Sequence, residues 1–123
     1  MNPNSDWDKR KIIAVDFDGT IVEDEWPEIG NIKHRVVEQM IKEEEKGTYI
    51  IIWTCRSGEE IQEMQNWLDE QCIPYDRINA NAPWILEKWK RDNRKIFAHK
   101  YIDDKAINVN KWGGISFDKR NGE

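Results

Sequence analysis

Asp16 and Asp18 stand two positions apart at the end of an apolar run, the stretch 11–20 reading KIIAVDFDGT, and Gly19 and Thr20 close the turn behind them. Alternate residues of an extended segment point the same way, so both carboxylates can face one site. Two acids this close repel, and both stay ionised near neutral pH only when positive charge sits beside them. A divalent cation with oxygen ligands supplies that charge. Mg2+ suits the position because it takes few protein carboxylates and keeps waters and phosphate oxygens in its shell. The simpler alternative is a strand that ends in an Asp-Gly turn. Two further apolar runs end in reactive groups: Thr54 and Arg56 follow TYIIIW, and Asp103 and Asp104 follow KIFAHKYI. Carboxylates for a metal, a hydroxyl for phosphate oxygens and a cation for the remaining charge are the parts of a phosphoryl-transfer site.

These groups can meet only if the strand ends lie side by side. Short apolar runs bounded by turn signals read as buried parallel strands at 12–17, 48–53 and 95–102. Between them the apolar residues fall at helical spacing. Ile32, Val36, Val37, Met40 and Ile41 predict a helix over 31–46 with Gly47 as its C-terminal cap. Ser57 and Glu60 form a capping box for a helix whose apolar face is Ile61, Met64, Trp67 and Leu68, and Pro83 opens another carrying Trp84, Ile85, Leu86 and Trp89. The stretch 73–78 contains Pro74 and reads as a short edge strand, and 115–117 offers one more strand near the end. Strands alternating with helices give an α/β fold with a mainly parallel sheet, in which ligands bind beyond the carboxyl ends of the strands. The stretch 21–30, IVEDEWPEIG, reads as a loop or flap directly over that edge.

Composition narrows the class. With 123 residues the chain is long enough for one core and too short for a sizeable second domain. The net charge of -5 argues against nonspecific nucleic-acid binding, which depends on Lys and Arg neutralising phosphates. Cys55 and Cys72 are too far apart for a CxxC motif and have no His cluster near them, which points to free thiols in a reducing cytosol. No apolar run reaches the roughly 20 residues of a membrane span, and the N-terminal ten residues lack a signal peptide's apolar core. The expected setting is therefore cytoplasmic, with no membrane partner. Residues 1–10 read as a loose segment with Trp7 a candidate anchor, 11–118 as one domain and 119–123 as a polar tail. His34 and His99 read as packing or surface residues, and Asn79 and Asn81 either line a rim or make turns.

The order of motifs resembles the haloacid dehalogenase (HAD) superfamily of phosphatases. DFDGT looks like that family's first motif, the Thr of IIIWTCRSG its second, Lys95 of RKIFAHKYIDD its third, with Lys88 and Lys100 as alternatives, and the acidic pair of YIDD its fourth. The resemblance implies a three-layer Rossmann-like HAD core and Mg2+-dependent hydrolysis of phosphate esters. By it, Asp16 is the nucleophile and Asp18 the general acid and base. Thr54 bonds a phosphate oxygen, Lys95 neutralises charge, and Asp16, Asp103 and Asp104 hold Mg2+ together with Asp18, through its backbone carbonyl. Gly19, Thr20, Arg56 and Trp26 are the expected substrate contacts. Arg56 either reaches the phosphate or leaving group or pairs with an acid of the flap, and Trp26 either stacks on a base or sugar or anchors its loop. Only 33 residues separate Thr20 from Thr54 and 40 separate Thr54 from Lys95, so no separate cap domain is expected. The expected substrate is a small phosphorylated molecule, a nucleotide or sugar phosphate. The alternatives are a phosphatase of nucleic-acid ends and a non-catalytic phosphate-binding or regulatory module. A homo-oligomer is one way to cover so open a site.

Overall fold

The computed structural model describes residues 10–106. Four strands form one parallel sheet in the order β3-β2-β1-β4: β1 is Ile12–Asp16, β2 Tyr49–Trp53, β3 Arg77–Ile78 and β4 Lys100–Ile102. Three helices connect them: α1 His34–Glu45, α2 Glu59–Glu70 and α3 Pro83–Trp89. The alternation of side chains across the central strand sorts the core into two layers. Ile13 and Val15 join Met40, Ile50, Ile52, Met64 and Leu68 beneath α1 and α2, whereas Ile12 and Ala14 join Ile51, Ile85, Ile96 and Ala98 beneath α3. Both faces of β1 are thus covered, which is why its sequence is a continuous apolar run rather than an alternating one. The result is a small three-layer, Rossmann-like α/β fold, as the pattern of elements predicts.

Register delivers the strand ends together. Val15 pairs with Ile102, so the next step beyond each places Asp16 beside Asp103, and Asp16 itself pairs with Trp53, the residue before Thr54. No separate cap intervenes: the 20–54 interval holds a short flap, α1 and β2, and the 54–95 interval holds α2, β3 and α3.

Several boundaries differ from those expected. The strand expected over 95–102 is reduced to its last three residues, and 96–98 run as loop with Ile96 and Ala98 buried. His99 ends that loop by pairing with β1 through both its groups: its amide donates to the Ile12 carbonyl at 2.8 Å and its ring Nδ1 accepts the Ile12 amide at 2.9 Å. The 73–78 strand shrinks to Arg77–Ile78 because Asp76 uses its side chain, accepting the Ile50 amide at 2.8 Å, where a longer ladder would have used backbone. Helix α1 starts at His34 rather than Asn31 because residues 31–33 are engaged elsewhere. Glu23 N–H donates to the Asn31 carbonyl and Lys33 N–H to the Ile21 carbonyl, so the two ends of the flap are stitched together at its base. Gly47, with φ of 88°, follows α1 as expected, and its amide donates to the Glu44 carbonyl. The capping box of α2 forms by half: Glu60 Oε1 accepts the Ser57 amide at 3.3 Å, but the cap position is Gly58 and no side chain closes the other bond. The segment 1–9, Trp7 with it, the strand expected at 115–117 and the tail lie outside the described residues.

Candidate functional site

Three acids converge where β1 and β4 end. Carboxylate oxygens of Asp16, Asp103 and Asp104 lie within 4.8 Å of one another. Asp16 is half-buried at the end of a strand, and its carboxyl is pushed up to about 7, first by burial, then by the charge of Asp103 and by its hydrogen bond and proximity to Asp104. Burial also raises Asp104, but the hydrogen bond and charge of Lys105 outweigh it and leave that carboxyl below its ordinary value. The set is oxygen-only and carries more negative charge than the neighbouring cation offsets, which is the donor chemistry that a hard divalent ion satisfies. Asp18, expected to reach the ion through its backbone carbonyl, has its carboxylate outside this cluster and turned to Arg56.

Thr20 and Gly19 fix the geometry of these acids. The Thr20 side chain is buried, donates to Asp16 Oδ2 at 3.4 Å and accepts the Asp104 amide at 3.0 Å, so one hydroxyl ties the first acid to the last. Gly19 has φ of 91°, and a β-carbon there would meet Asp104 Oδ2 at 2.2 Å. Its carbonyl accepts the Lys33 ammonium at 2.8 Å. Expected as substrate contacts, both residues are engaged inside the protein, Thr20 through a hydroxyl bonded on both sides and Gly19 through Asp104, which fills the space beside it.

Arg56 is likewise engaged internally. It is 2 % exposed, and its guanidinium grips Asp18 with two bonds, Nε to Oδ2 at 2.8 Å and Nη2 to Oδ1 at 2.7 Å. Two further donors go to the flap: Nη1 to the Pro27 carbonyl at 3.1 Å and Nη2 to the Glu28 carbonyl at 3.0 Å. The guanidinium also lies 5.3 Å from the Phe17 ring centroid. Arg56 meets the flap through carbonyls rather than an acid, and the acid it pairs with is Asp18.

Thr54 accepts the Arg56 amide at 3.1 Å, which leaves its O–H proton as a donor among the described residues. Its backbone is held by Asn79, whose side chain accepts the Thr54 amide and donates to the Thr54 carbonyl, both at 2.8 Å. Asn79 sits just past β3 with φ of 52°, a conformation Asn tolerates better than most residues. It is a positioning residue rather than part of a rim. Asn81 is fully buried and braces the loop before β4, accepting the Phe97 amide at 2.7 Å and donating to Asp92 at 3.2 Å.

A cleft of about 490 Å3 opens over the acids, lined by Asp16, Asp18, Asp103 and Thr54, with Asp24 and Trp26 of the flap on one side. Trp26 is 58 % exposed. The cation in this cleft is Lys105, whose ammonium lies 3.2 Å from Asp104 and 3.6 Å from Asp24 and whose amide donates to Asp103 at 2.9 Å. Lys95, expected here, has its ammonium over the Tyr101 ring, 5.3 Å from the centroid, and among the described residues it makes no ion pair with the cleft acids. Its displacement goes with the shortened β4, since Lys95 lies within the loop 90–99 rather than on a strand. Lys100 lines an apolar groove on the α1 side with Ile13 and Met40, away from the strand ends. Sequence reasoning missed Lys105 although it directly follows the acidic pair. The signal lay in that adjacency.

No protein-family model and no curated protein matches the chain. A solved structure does: a conserved protein coded by a locus of Bacteroides thetaiotaomicron, 30% identical, with a TM-score of 0.71 over 94% of this chain and 93% of that one. At this identity and coverage the two chains belong to one family, and the description of that relative states no activity.

Proposed function

We propose that the chain is a Mg2+-dependent phosphomonoesterase that works through an aspartyl-phosphate on Asp16, with a small phosphorylated molecule as substrate. The observation that carries this reading is the meeting of Asp16, Asp103 and Asp104 within 4.8 Å at the strand ends, beside a cleft that also takes in Asp18 and Thr54. Asp16, Asp103 and Asp104 would hold the ion, which as a Lewis acid would offset charge on the phosphoryl group.

The chain's own residues carry the remaining chemistry. A carboxylate oxygen of Asp16 attacks phosphorus, forming the acyl-phosphate bond as the ester P–O bond breaks. Asp18, two residues on, gives a proton to the departing alkoxide. It then takes one from the water that attacks phosphorus and frees Asp16. The Thr54 hydroxyl donates to a phosphoryl oxygen, and the Lys105 ammonium, already among the acids, offsets substrate charge in the role expected of Lys95. The net charge of -5 favours a small nucleotide or sugar phosphate over a polymer end. A cytosolic setting agrees with the two free cysteines, and no described helix is long and apolar enough to cross a membrane.

One observation favours a second reading, a phosphate-binding module without turnover: both oxygens of Asp18 accept from Arg56. A panel of phosphomonoesters with Mg2+ or with EDTA separates the two. Metal-dependent phosphate release, lost in Asp16→Asn and Asp18→Asn, supports the enzyme. Equal inertness of wild type and both variants, with phosphate still bound, supports the module.

A further inference from the structure

We infer that Arg56 is the positioning residue through which the flap over 23–30 controls the Asp18 carboxylate. The inference rests on the phosphomonoesterase reading for its chemistry and on geometry alone for the coupling.

An arginine whose side chain is fully buried is costly unless its donors are satisfied, and here each nitrogen has an acceptor: Asp18 takes two bonds and the flap carbonyls of Pro27 and Glu28 take two. One planar group therefore holds the acid and the flap in a single arrangement. Besides Arg56, the flap is held near its tip by the exposed ion pair of Asp24 with Lys105 at 3.6 Å. Residues 23–28 are exposed, and the stitching bonds lie at the base, at Glu23 and Lys33. Nη2 serves both sides at once, donating to Asp18 Oδ1 and to the Glu28 carbonyl, so a displaced flap changes the bonding of the carboxylate. With both oxygens accepting from Arg56, Asp18 is held as an acceptor. To hand a proton to a leaving group it must release at least one of these bonds, and the flap carbonyls are the competing acceptors that let Arg56 stay satisfied when it does.

Leaving-group dependence reads out this role. An aryl phosphate has a leaving group that departs without a proton, whereas an alkyl phosphate needs the acid. The experiment compares wild type, Arg56→Lys and Arg56→Ala on both esters, with exogenous guanidinium added to the alanine variant. Hydrogen–deuterium exchange of the flap is measured in the same proteins and in Asp18→Asn. Arg56→Lys, which keeps the charge and loses the fork, guards against an alanine variant that fails to fold. The expected result is a fall in kcat on the alkyl ester of about 100-fold, against less than about tenfold on the aryl ester, part of it restored by guanidinium. Flap exchange quickens in the Arg56 variants and in Asp18→Asn. Equal losses on both esters with unchanged flap exchange would overturn the inference. A wild type inert on both esters sinks the phosphatase reading instead, and the exchange measurements still decide whether Arg56 couples flap to acid.

Discussion

Gly19 and Asp104 are in contact across 85 positions of sequence, so close that a β-carbon on Gly19 would stand 2.2 Å from the Asp104 carboxylate. Gly19→Ala thus suffers twice, from the clash and from a φ of 91° that L-residues avoid. The variant is expected to lose about 1–3 kcal/mol of stability in thermal unfolding. Because Asp104 must move, its Mg2+ affinity by calorimetry is expected to fall about tenfold. Unchanged metal affinity would show that Asp104 plays no part in holding the ion.

Acidity gives a second prediction. Asp16 has an ordinary carboxyl value of 3.8 unfolded and about 7 folded, so between these the folded state holds an extra proton. The stability this contributes is fully present below the unfolded value and is lost as pH rises through about 7. Metal-free protein should lose on the order of 2 kcal/mol in urea unfolding between pH 4 and pH 8, a figure reduced for a half-exposed group. Asp16→Asn should remove this decline. Since Mg2+ competes with that proton, stabilisation by the ion should be strong at pH 8 and weak at pH 5. A flat profile would place the proton elsewhere.

The Thr20 hydroxyl links Asp16 to the Asp104 amide. Thr20→Ser keeps that hydroxyl and is expected to keep metal affinity within about threefold. Thr20→Val has the same shape but leaves the Asp104 amide and Asp16 without their partner, and should cost about 1–3 kcal/mol together with at least a tenfold loss of Mg2+ affinity. Equal behaviour of the two variants in a binding titration would reduce Thr20 to packing.

Lys105 and Lys95 compete for one role. Lys105→Met is expected to raise KM for a phosphate ester about tenfold, because the ammonium in the cleft is lost, whereas Lys95→Met should change it less than about twofold. The reverse pattern would restore Lys95 to the site and require the loop before β4 to rearrange under substrate.

The scaffold was legible because its signals are local and agree with one another. Ile12 to Val15 and Tyr49 to Ile52 are apolar on both faces, as only a sheet covered on both sides requires, and Pro83 marks the start of α3. Asp16 and Asp103 were legible for the same reason, since one ends β1 and the other directly follows β4. What sequence could not show is the direction in which a polar side chain spends its bonds. Thr20, Gly19 and Arg56 looked like substrate contacts because they flank the acids, yet their partners, Asp104, Asp18 and the flap carbonyls, lie 28 to 85 positions away. Likewise β4 reads as eight residues and forms three, because His99 replaces ladder bonds with a ring nitrogen.

That the acids arrive from β1 and β4 has a bearing on biosynthesis. A chain leaving the ribosome offers Asp16 early, but Asp103 and Asp104 emerge only after α1, α2 and α3. A half-made molecule therefore cannot gather these three carboxylates, which meet only once β4 has joined β1.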